Sequence, residues 1–432
     1  MLSSLKNLIP LDSPIRIIYH KLRAMIAAFV YGFSAGNMIV IAVTGTDGKT
    51  TTCNMIEKIL SDAGYRVGLL STVAVSINGQ REINDRKMTS FDPFLMNAYL
   101  RKMKKAQCQY VVLEVSSHAI FYNRIWGVNI DVAVLTHITS DHLDLHRTVE
   151  NYVLTKRRLF EQLNASLRKP GIPKVAVLNQ DDAYFEDFNE INIDRKYVYS
   201  MLSKAQISGQ PIELTETSTS FNVEVSEEHQ TVTLPFAGKF HISNALAAIS
   251  ACISQNVSVS QCCASLTSFG GVAGRMEKVE NSLGIHAIVD YAHTENGLLQ
   301  VLKSVRESAH GKLYLVFGAP GQRDKSKRVK MGALAAGLAD YLIVTDDDPG
   351  SEDHISIIDH IREGIPEAEG SNVWSIPDRR SAIRTAMYLA QSNDIVLITG
   401  KGCEPVQLTN AGKIPWSDKQ VVIDTAQELA GL

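Results

Sequence analysis

The sequence predicts an α/β protein built from two successive, mainly parallel sheets. Short runs of aliphatic and β-branched residues alternate with helical patterns twice along the 432 residues. A Gly/Thr-rich loop also stands between a buried strand and a helix near the front of the chain. This length exceeds one ordinary hydrophobic core. We expect a helical segment over 1–38, a central domain over 39–273 and a C-terminal domain over 274–432.

The composition is typical of a soluble globular protein. Apolar residues make up 45% and charged residues 21% of the chain, and the formal net charge is −3. That charge gives no reason to expect a nucleic-acid partner. The six cysteines are scattered, without a CxxC pair or metal-ligand spacing, which indicates buried thiols in a reducing cytoplasm.

The segment before the first strand has the periodicity of an amphipathic helix. Ser13 is a candidate N-cap, and Pro14 takes the first helical position. Its large apolar side chains fall on one face and Arg16, His20, Arg23 and Ala27 on another. The apolar face is Ile15, Ile18, Leu22, Met25, Ile26, Phe29 and Phe33. We expect this helix to dock on the protein's own core or on a partner protein, with membrane-surface contact through the basic face as the less favoured alternative. The apolar stretch is too short for an integral membrane segment.

The first strand leads into a candidate phosphate-binding loop, in the stretch VIAVTGTDGKTTTCNM (40–55). Gly45 and Gly48 allow a tight turn whose N–H groups point at an anion, next to the positive end of the following helix. Lys49 adds a charge, and Thr50 or Thr51 can offer a hydroxyl to Mg²⁺. Only the second half of the P-loop pattern is met, because Val43 replaces its first glycine. A tight turn before a capped helix is the alternative to a nucleotide site.

Further apolar runs predict the rest of both sheets. In the central domain YRVGLLST, YVVLEVSS, DVAVLTHI and KVAVLN read as strands, and DPFLMNAYLRKMKKA reads as a helix begun at Asp92-Pro93. The Thr/Val-rich stretch at 213–238 predicts an antiparallel hairpin or sheet edge, and SNALAAISACIS predicts a helix. The glycine-rich FGGVAGRMEKV indicates a hinge.

A second series of strands predicts a Rossmann-like C-terminal domain. Its strands are IHAIVDYAH, KLYLVFGAPG, DYLIVTDDD and DIVLITGKG. Each ends in Gly, Asp, His or Lys. Ligands of open α/β sheets bind at the carboxyl ends of strands, so a second substrate site is expected there.

Two polar stretches of the central domain suggest chemistry. Glu114 ends a strand near the loop and could ligate Mg²⁺. The stretch THITSDHLDLH places five titratable residues at the end of the next strand: His137, Asp141, His142, Asp144 and His146. A polar loop that caps a helix is the alternative.

Taken together, these motifs resemble the Mur ligases. TGTDGKTT, EVSSHA, HITSDHLDLH…YVLTKRRLF, GRMEKV, VDYAHT, FGAPGQRDKSKR, TDDDPGSED and GKGCEP follow the order seen in that family, from Ile39 to the C-terminus. The similarity is greatest to the MurE type, which adds the third peptide residue to UDP-N-acetylmuramoyl-dipeptide. It implies an ATP-dependent amide ligase of peptidoglycan precursor synthesis, working through an acyl phosphate.

The resemblance also implies roles for individual residues. Lys49, Glu114, His142 and Lys156 would be catalytic, and Thr50, Glu114, His142 and a carbamylated Lys156 would hold Mg²⁺, with two ions expected in such a site. ATP would be bound by the loop and by residues of both domains, those of the C-terminal domain reaching it as the hinge closes: Gly45, Thr46, Asp47, Gly48, Lys49, Thr50, Thr51, His241, Asn244, Arg275 and Asp290. The acyl and amino-acid substrates would contact Thr89, Ser90, Ser116, Arg124, His293, Arg323, Asp347, Asp348, Gly400 and Glu404. Without the family, Lys156 would be taken for a solvated helix lysine.

Departures from the family pattern affect the substrate prediction. Only about 38 residues precede the strand that leads into the candidate phosphate-binding loop, so we expect the usual N-terminal UDP-binding domain to be missing. The sequence therefore leaves the identity of the acyl substrate open. The Asp-Asn-Pro-Arg motif of diaminopimelate-adding enzymes reads Asp347-Asp348-Pro349-Gly350 here. Loss of the guanidinium and gain of a carboxylate predict that diaminopimelate is disfavoured and a basic amino acid such as lysine accepted. His241 replaces an asparagine and Cys403 a histidine, which predicts altered contacts rather than lost activity.

Other functions stay open. Folylpolyglutamate synthetase-like, cyanophycin synthetase-like and MurT-like ligases also lack the UDP domain. The four-cysteine zinc ribbon of the MurT type is missing, and Asp290-Tyr291-Ala292-His293-Thr294 differs from the Asp-Gly-Ala-His-Asn of folylpolyglutamate synthetases. A non-catalytic nucleotide-binding scaffold is the alternative from another class.

Overall fold

The structure is a computed structural model that describes residues 10–84, 89–322, 325–366 and 372–431. The chain divides into two compact units. The first runs to Ile212 and includes Phe221–Thr233 and Phe240–Phe269. The second consists of Glu213–Ser220, Leu234–Lys239 and the chain from Gly270 onward.

The first large sheet and its helices are formed by the chain up to Thr267. The strands are β1 (Ile39–Thr44), β2 (Val67–Leu70), β3 (Ala74–Ile77), β4 (Gln80–Ile83), β5 (Tyr110–Glu114), β6 (Val132–Leu135), β7 (Val175–Asn179), β8 (Arg195–Ser200), β9 (Ile207–Leu214), β10 (Thr219–Val225) and β11 (Glu228–Leu234). The helices are α1 (Pro14–Tyr31), α2 (Lys49–Asp62), α3 (Pro93–Lys105), α4 (Ser117–Phe121), α5 (Leu143–His146), α6 (Val149–Ala165), α7 (Phe185–Asn189), α8 (Phe240–Ile253) and α9 (Val259–Thr267).

The first sheet is mainly parallel, as predicted. Its order is β11-β10-β9-β8-β7-β6-β1-β5-β2-β3-β4. Strand β1 pairs in parallel with β5 and β6, and Val40 to Val43 are fully buried, because a central strand is covered on both faces. The Thr/Val-rich stretch forms β10 and β11 at one edge, as predicted, while the short edge strands β3 and β4 were not foreseen. The phosphate-loop candidate therefore follows a central strand.

The second unit has its own sheet and core. Its strands are β12 (Glu277–Val279), β13 (His286–Asp290), β14 (Leu313–Phe317), β15 (Tyr341–Val344), β16 (Val373–Ser375), β17 (Ile395–Thr399), β18 (Val406–Thr409) and β19 (Gly412–Pro415). Its helices are α10 (Glu295–Ser308), α11 (Ser326–Leu338), α12 (His354–Arg362), α13 (Arg379–Leu389) and α14 (Asp418–Leu429). The sheet order is β12-β13-β17-β14-β15-β16, with only the β12–β13 pair antiparallel. Strands β18 and β19 form a separate hairpin.

Helix α3 begins where the sequence predicts. The Asp92 carboxylate accepts a hydrogen bond from the Phe94 N–H at 3.0 Å, and Pro93 is the first helical residue. At α1, Ser13 is the N-cap residue, but its side chain makes no capping bond among the described residues. Local propensity therefore placed both helix starts correctly.

Helix α1 packs on its own unit, one of the two alternatives that the sequence left open, but it does so through small side chains and not through its large apolar face. Ala24, Ala27 and Ala28 are the residues of α1 that are buried, each at most 1% exposed. The large side chains Ile15, Ile18, Leu22, Ile26, Phe29 and Phe33 are exposed. Small side chains allow the helix to approach the unit closely, and the bulkier stripe is left on the outside. Among the described residues, no helix is long and apolar enough to span a membrane.

Candidate active site

Two glycines give the loop after β1 its shape. Gly45 and Gly48 have φ angles of 154° and 82°, values that residues with a side chain rarely adopt. A Cβ on Gly45 would stand 1.9 Å from the Thr136 hydroxyl, and one on Gly48 would stand 2.1 Å from Oδ1 of Asn244. Both positions therefore require glycine, because backbone conformation and packing exclude a side chain.

The loop is also tied to its neighbours by hydrogen bonds that the sequence did not reveal. The Thr136 hydroxyl donates to the Asp47 carbonyl at 2.6 Å, and the Thr46 N–H donates to the His137 carbonyl at 2.6 Å. The Thr46 hydroxyl lies 3.1 Å from both the Thr139 carbonyl and the Tyr152 hydroxyl. These contacts hold the loop in one conformation. Threonines at strand ends are the only sequence signal that could have indicated them.

The end of β5 supplies a carboxylate to the start of α2. The Thr50 hydroxyl donates to Oε1 of Glu114 at 2.9 Å, and both groups are buried. Glu114 also accepts from the Thr72 N–H at 2.7 Å and from its hydroxyl at 2.8 Å. Lys49 Nζ donates to the Thr46 carbonyl at 2.7 Å. The structure thus brings Thr50 and Glu114 together, as predicted for Mg²⁺ ligands, and identifies Thr72 as a residue that orients Glu114.

Lys156 lies in the interior beside the loop. It is completely buried, and its Nζ donates to the Gly45 carbonyl at 2.7 Å and stands 4.3 Å from the centre of the Tyr152 ring. Burial, reinforced by the charge of Lys49, holds the pKa of Lys156 well below the usual lysine range. Its amine therefore differs chemically from that of a solvated lysine.

His142 lies next to this group, in a small cluster of imidazoles. Its φ of 53° is left-handed, and Nε2 lies 3.4 Å from Oδ2 of Asp141. The rings of His118 and His142 are 4.6 Å apart, edge to face. Burial lowers the pKa of His142 to about 4, against the opposing charge of Asp141. The imidazole is therefore neutral near pH 7 and can act as a ligand.

Helix α8 carries the other residues of this unit, His241 and Asn244, that the sequence predicts to contact the nucleotide. His241 and Asn244 are 1% and 6% exposed, and Asn244 packs against Gly48. Nδ2 of Asn244 is a buried donor with no hydrogen-bond partner in the described part of the chain. Thr51, in the first turn of α2, is also buried.

Part of the predicted acyl-substrate set comes together. The hydroxyls of Ser90 and Ser116 are 2.8 Å apart, and Thr89 precedes Ser90 in the chain. Ser90 shares a cavity with Glu114 and with apolar side chains that include Phe91 and Ile125. The Arg124 guanidinium lies over the Tyr122 ring at 5.3 Å.

In the second unit, Asp290 and Arg275 form a compact group at the end of β13. The Asp290 carboxylate accepts from the N–H groups of Met276 and Ala292, each at 2.7 Å. Burial raises the pKa of Asp290, opposed by the charge of Arg275. Arg275 lies over the Tyr291 ring at 4.6 Å, and Nδ1 of His293 is 2.9 Å from the Tyr291 carbonyl. The Asp290 carboxylate therefore binds backbone N–H groups of its own unit.

The ends of β15 and β17 meet in a charged cluster, which we call the Lys401 cluster: Lys401, Asp347, Asp348 and Glu404. Lys401 is fully buried, and its Nζ is 2.7 Å from Asp348 Oδ1 and 2.5 Å from Glu404 Oε2. Asp347 Oδ1 is 4.0 Å away, and burial raises the pKa of Asp347. Gly400 is required, since a Cβ there would stand 2.6 Å from Asp347 Oδ2. Arg323 lies outside the described residues.

The donor set suits magnesium better than a transition metal. Within residues 10–84, 89–322, 325–366 and 372–431, no group of three or more His, Cys, Asp and Glu side chains is arranged to hold a metal ion. Mg²⁺ needs no such cage, because it takes one or two protein oxygens and completes its shell with water and substrate phosphates. The adjacent Thr50 hydroxyl and Glu114 carboxylate fit that requirement.

Comparison with known proteins accounts for both units. Residues 43–252 match the Mur ligase middle domain, and residues 274–402 match the Mur ligase glutamate ligase domain. A UDP-N-acetylmuramoyl-L-alanyl-D-glutamate–2,6-diaminopimelate ligase of Halalkalibacterium halodurans is 36% identical over 420 residues, covering 97% of this chain and 85% of the relative. A UDP-N-acetylmuramyl-tripeptide synthetase of Roseiflexus sp. is 36% identical over 408 residues, covering 91% of this chain and 80% of the relative.

Solved structures agree with these relatives. A UDP-N-acetylmuramoyl-L-alanyl-D-glutamate–2,6-diaminopimelate ligase matches with a TM-score of 0.67 and 29% identity, over 95% of this chain and 84% of that one. The ADP complex of Mycobacterium tuberculosis folylpolyglutamate synthase matches with a TM-score of 0.72 over 88% of this chain and 91% of that one. At 17% identity the second match shows a shared fold alone. The loop, the two sheets and the relatives lead to one conclusion: the chain belongs to the Mur ligase family, whose members are ATP-dependent ligases that form amide bonds.

Proposed function

We propose that this chain is a MurE-type ligase that joins an amino acid to the carboxylate of a UDP-N-acetylmuramoyl-peptide or a related peptide in peptidoglycan precursor synthesis. The single observation that carries the proposal is the corner formed by Lys49, Thr50, Glu114 and the buried Lys156 around one glycine-shaped loop. A lysine, a magnesium-type oxygen pair and backbone N–H groups are what phosphoryl transfer to a carboxylate requires, since two anions must be held together.

In this proposal each residue of the corner has a defined task. Lys49 leaves the Thr46 carbonyl to bind the terminal phosphates of ATP, and the loop N–H groups bind the same oxygens. Thr50 and Glu114 hold Mg²⁺, which neutralises phosphate charge when bound. Ser90 and Ser116 position the acyl substrate, whose carboxylate takes the γ-phosphoryl group of ATP as ADP leaves. The incoming amine then attacks the acyl phosphate, and phosphate leaves as the amide bond forms. Asn244 contributes its buried Nδ2 donor to the nucleotide.

The low pKa of Lys156 supports the proposal that this residue is carbamylated. A neutral amine attacks carbon dioxide through its lone pair, an N–C bond forms, and one proton leaves the nitrogen. The product is an anion beside His142 and the loop, where it could support a second Mg²⁺. A lysine of ordinary pKa is protonated at neutral pH and has no lone pair to offer.

Substrates, partners and location complete the proposal. The enzyme takes small-molecule and peptide substrates in the cytoplasm. The exposed face of α1 is available to a partner protein or a membrane surface. Central and C-terminal domains over 39–273 and 274–432 remain our proposed division.

A substrate panel tests the activity. UDP-muramoyl-dipeptide, its lipid-linked forms and folate-glutamate are each offered with ATP, Mg²⁺ and mixed amino acids, and products are read by mass spectrometry. We expect phosphate release that depends on both the muramoyl peptide and an amino acid. Turnover with folate-glutamate alone would instead favour the folylpolyglutamate synthetase alternative. Nucleotide binding without amino-acid-dependent phosphate release would favour a scaffold.

The Lys401 cluster bears on the choice of amino acid. Asp348 does not present an isolated negative charge, because Lys401 pairs with it. One lysine nevertheless faces three carboxylates, so the cluster keeps an excess of negative charge that suits an ammonium group. Gly350 replaces the arginine that would clamp a distal carboxylate.

We therefore predict faster ligation of lysine than of diaminopimelate. The measurement compares initial rates for the two amino acids at equal concentration with the acyl substrate that the panel identifies. The relatives named as diaminopimelate ligases provide matched control enzymes. Equal or faster turnover with diaminopimelate would contradict the prediction.

A further inference from the structure

Helix α1 presents a continuous apolar face on the outside of the first unit. Ile15, Ile18, Leu22, Ile26 and Phe29 recur at helical spacing and are all at least half exposed, with Phe29 at 65%. Leu11, Val30 and Phe33 extend the face at its two ends. Large apolar side chains clustered in this way mark an interaction surface, whereas scattered ones do not.

Contacts on the opposite side fix the helix in this orientation. Ala24, Ala27 and Ala28 are buried, and a Cβ on Gly127 would stand 2.8 Å from Cβ of Ala28. Arg23 forms a 2.8 Å ion pair with Asp92 at the start of α3. The helix therefore cannot roll its apolar face inward without breaking these contacts.

Aromatic side chains cluster where the helix ends. The ring centroids of Phe29 and Phe33 are 5.2 Å apart, and both lie within 6.3 Å of the half-buried Trp126 ring. Tryptophan is enriched where protein meets the lipid headgroup region, because its ring is apolar and its N–H is polar. This aromatic cluster extends the apolar face of α1 with side chains of the kind that are found at lipid interfaces.

Charge distinguishes among the possible occupants of this face. Helix α1 carries Arg16, Lys21 and Arg23, of which Arg23 is paired with Asp92. The adjacent α3 carries Arg101, Lys102, Lys104 and Lys105, and neither helix contains Asp or Glu. The whole chain has a net charge of −3. Two copies meeting through these helices would bring like charges together, whereas an anionic surface would be attracted.

We propose that α1 and α3 form a membrane-surface site that takes anionic phospholipid. The apolar face of α1 lies in the plane of the lipid interface, and the cations of the two helices attract the headgroups. This geometry is that of an interfacial amphipathic helix, which combines apolar burial with electrostatic attraction. It assigns the membrane contact to the apolar face of α1 and not to the basic face.

Vesicle flotation of the full chain tests the proposal. The probes are vesicles of phosphatidylcholine alone and vesicles with about 30% phosphatidylglycerol. We expect flotation only with the anionic vesicles, weakened by salt. The double variant Ile18→Gln/Phe29→Gln should abolish it. Lys104→Gln/Lys105→Gln should weaken binding about fivefold per cation removed.

A matched control distinguishes binding at this site from nonspecific adsorption to vesicles. Ile83→Gln removes an isoleucine that is 68% exposed on strand β4, and it should float like the wild type. All variants should keep the wild-type thermal midpoint, because the changed side chains are exposed. Ligation activity in solution is measured in parallel, so that failure of the proposed enzyme function is seen separately.

Other occupants of the face give different outcomes, each of which overturns the proposal. Absence of flotation with anionic vesicles does so directly. A dimer in solution that Ile18→Gln/Phe29→Gln dissociates would assign the face to a second copy. Flotation that appears only after deletion of residues 1–9 would assign it to that segment.

Discussion

At the scale of single residues, Lys156 shows how burial creates reactivity. A fully buried lysine with a strongly lowered pKa carries a free energy cost, because the unfolded chain solvates its charge. The pKa of Lys156 is higher in the unfolded chain than in the folded protein. The free energy cost is therefore present at pH values below the unfolded pKa, and it falls as the pH rises toward that value. A strongly lowered pKa beside the loop marks Lys156 as a candidate functional residue.

We predict that Lys156→Met lowers the ligation rate about 10–100-fold, since removal of groups that support a metal site has effects of this size. The thermal midpoint should not fall, because the variant removes a buried amine. The wild type should also lose activity in CO₂-depleted buffer and recover with bicarbonate.

Lys174→Met is the matched control, because Lys174 is equally buried but pairs with Asp131. It should lower the thermal midpoint and preserve the rate of the folded enzyme. Undiminished ligation by Lys156→Met would remove the argument for a carbamate.

His146 provides a test through pH. Burial lowers the pKa of His146 from 6.5 to about 4, while its ring contacts Ser117 and Thr155. Between these values the unfolded state binds more protons, so the free energy of unfolding should fall as pH falls through this window. In urea titrations, His146→Asn should lose less stability than the wild type between pH 7 and pH 5. The exposed His229→Asn should behave like the wild type, and an unchanged pH slope in His146→Asn would contradict the assignment.

At the scale of elements, sequence patterns located strands and helices but did not decide which face of α1 is buried. The sequence correctly predicts that the large apolar side chains share one face of α1. The alanines on the opposite face, however, make the contact with the rest of the unit. A hydrophobic pattern reports which residues share a face, and it contains no information on how closely a neighbour approaches. Gly127 makes the close approach possible, and a single glycine in a loop gives no signal of this role.

The packing of α1 gives a prediction at this scale. Ala27→Leu should lower the free energy of unfolding of the first unit by about 1–3 kcal/mol, because a fully packed contact has no room for three more carbons. Ile26→Gln, the adjacent exposed position, should change it by less than about 0.5 kcal/mol. Urea titration measures both, and a larger effect at Ile26 would mean that the exposed face is in fact covered.

At the scale of the whole molecule, two cores imply two cooperative units. The second unit includes the short segment Glu213–Ser220, and Glu216 Oε2 is 2.9 Å from Nε2 of His286 while Oε1 accepts from the His310 N–H. A cut at residue 273 would separate Glu216 from these partners. The proposed domain boundaries therefore do not coincide with the structural units at this point.

We predict two transitions in scanning calorimetry. Ala27→Leu should lower only the transition of the first unit, and Glu216→Gln should lower only that of the second. A single transition shifted by both variants would show that the chain unfolds as one unit.

The sequence by itself determined the alternation of strands and helices and the two-glycine loop after β1, because periodicity and glycine placement are local properties. Tertiary structure alone decided that Lys156 is buried, that Thr72 and Thr136 hold Glu114 and the loop, and that Asp348 is already paired with Lys401. These facts depend on residues far apart in the chain whose distances are set by the packing of whole elements. Burial and pairing then fix the charge state of each group, and that charge state determines the chemistry available to it.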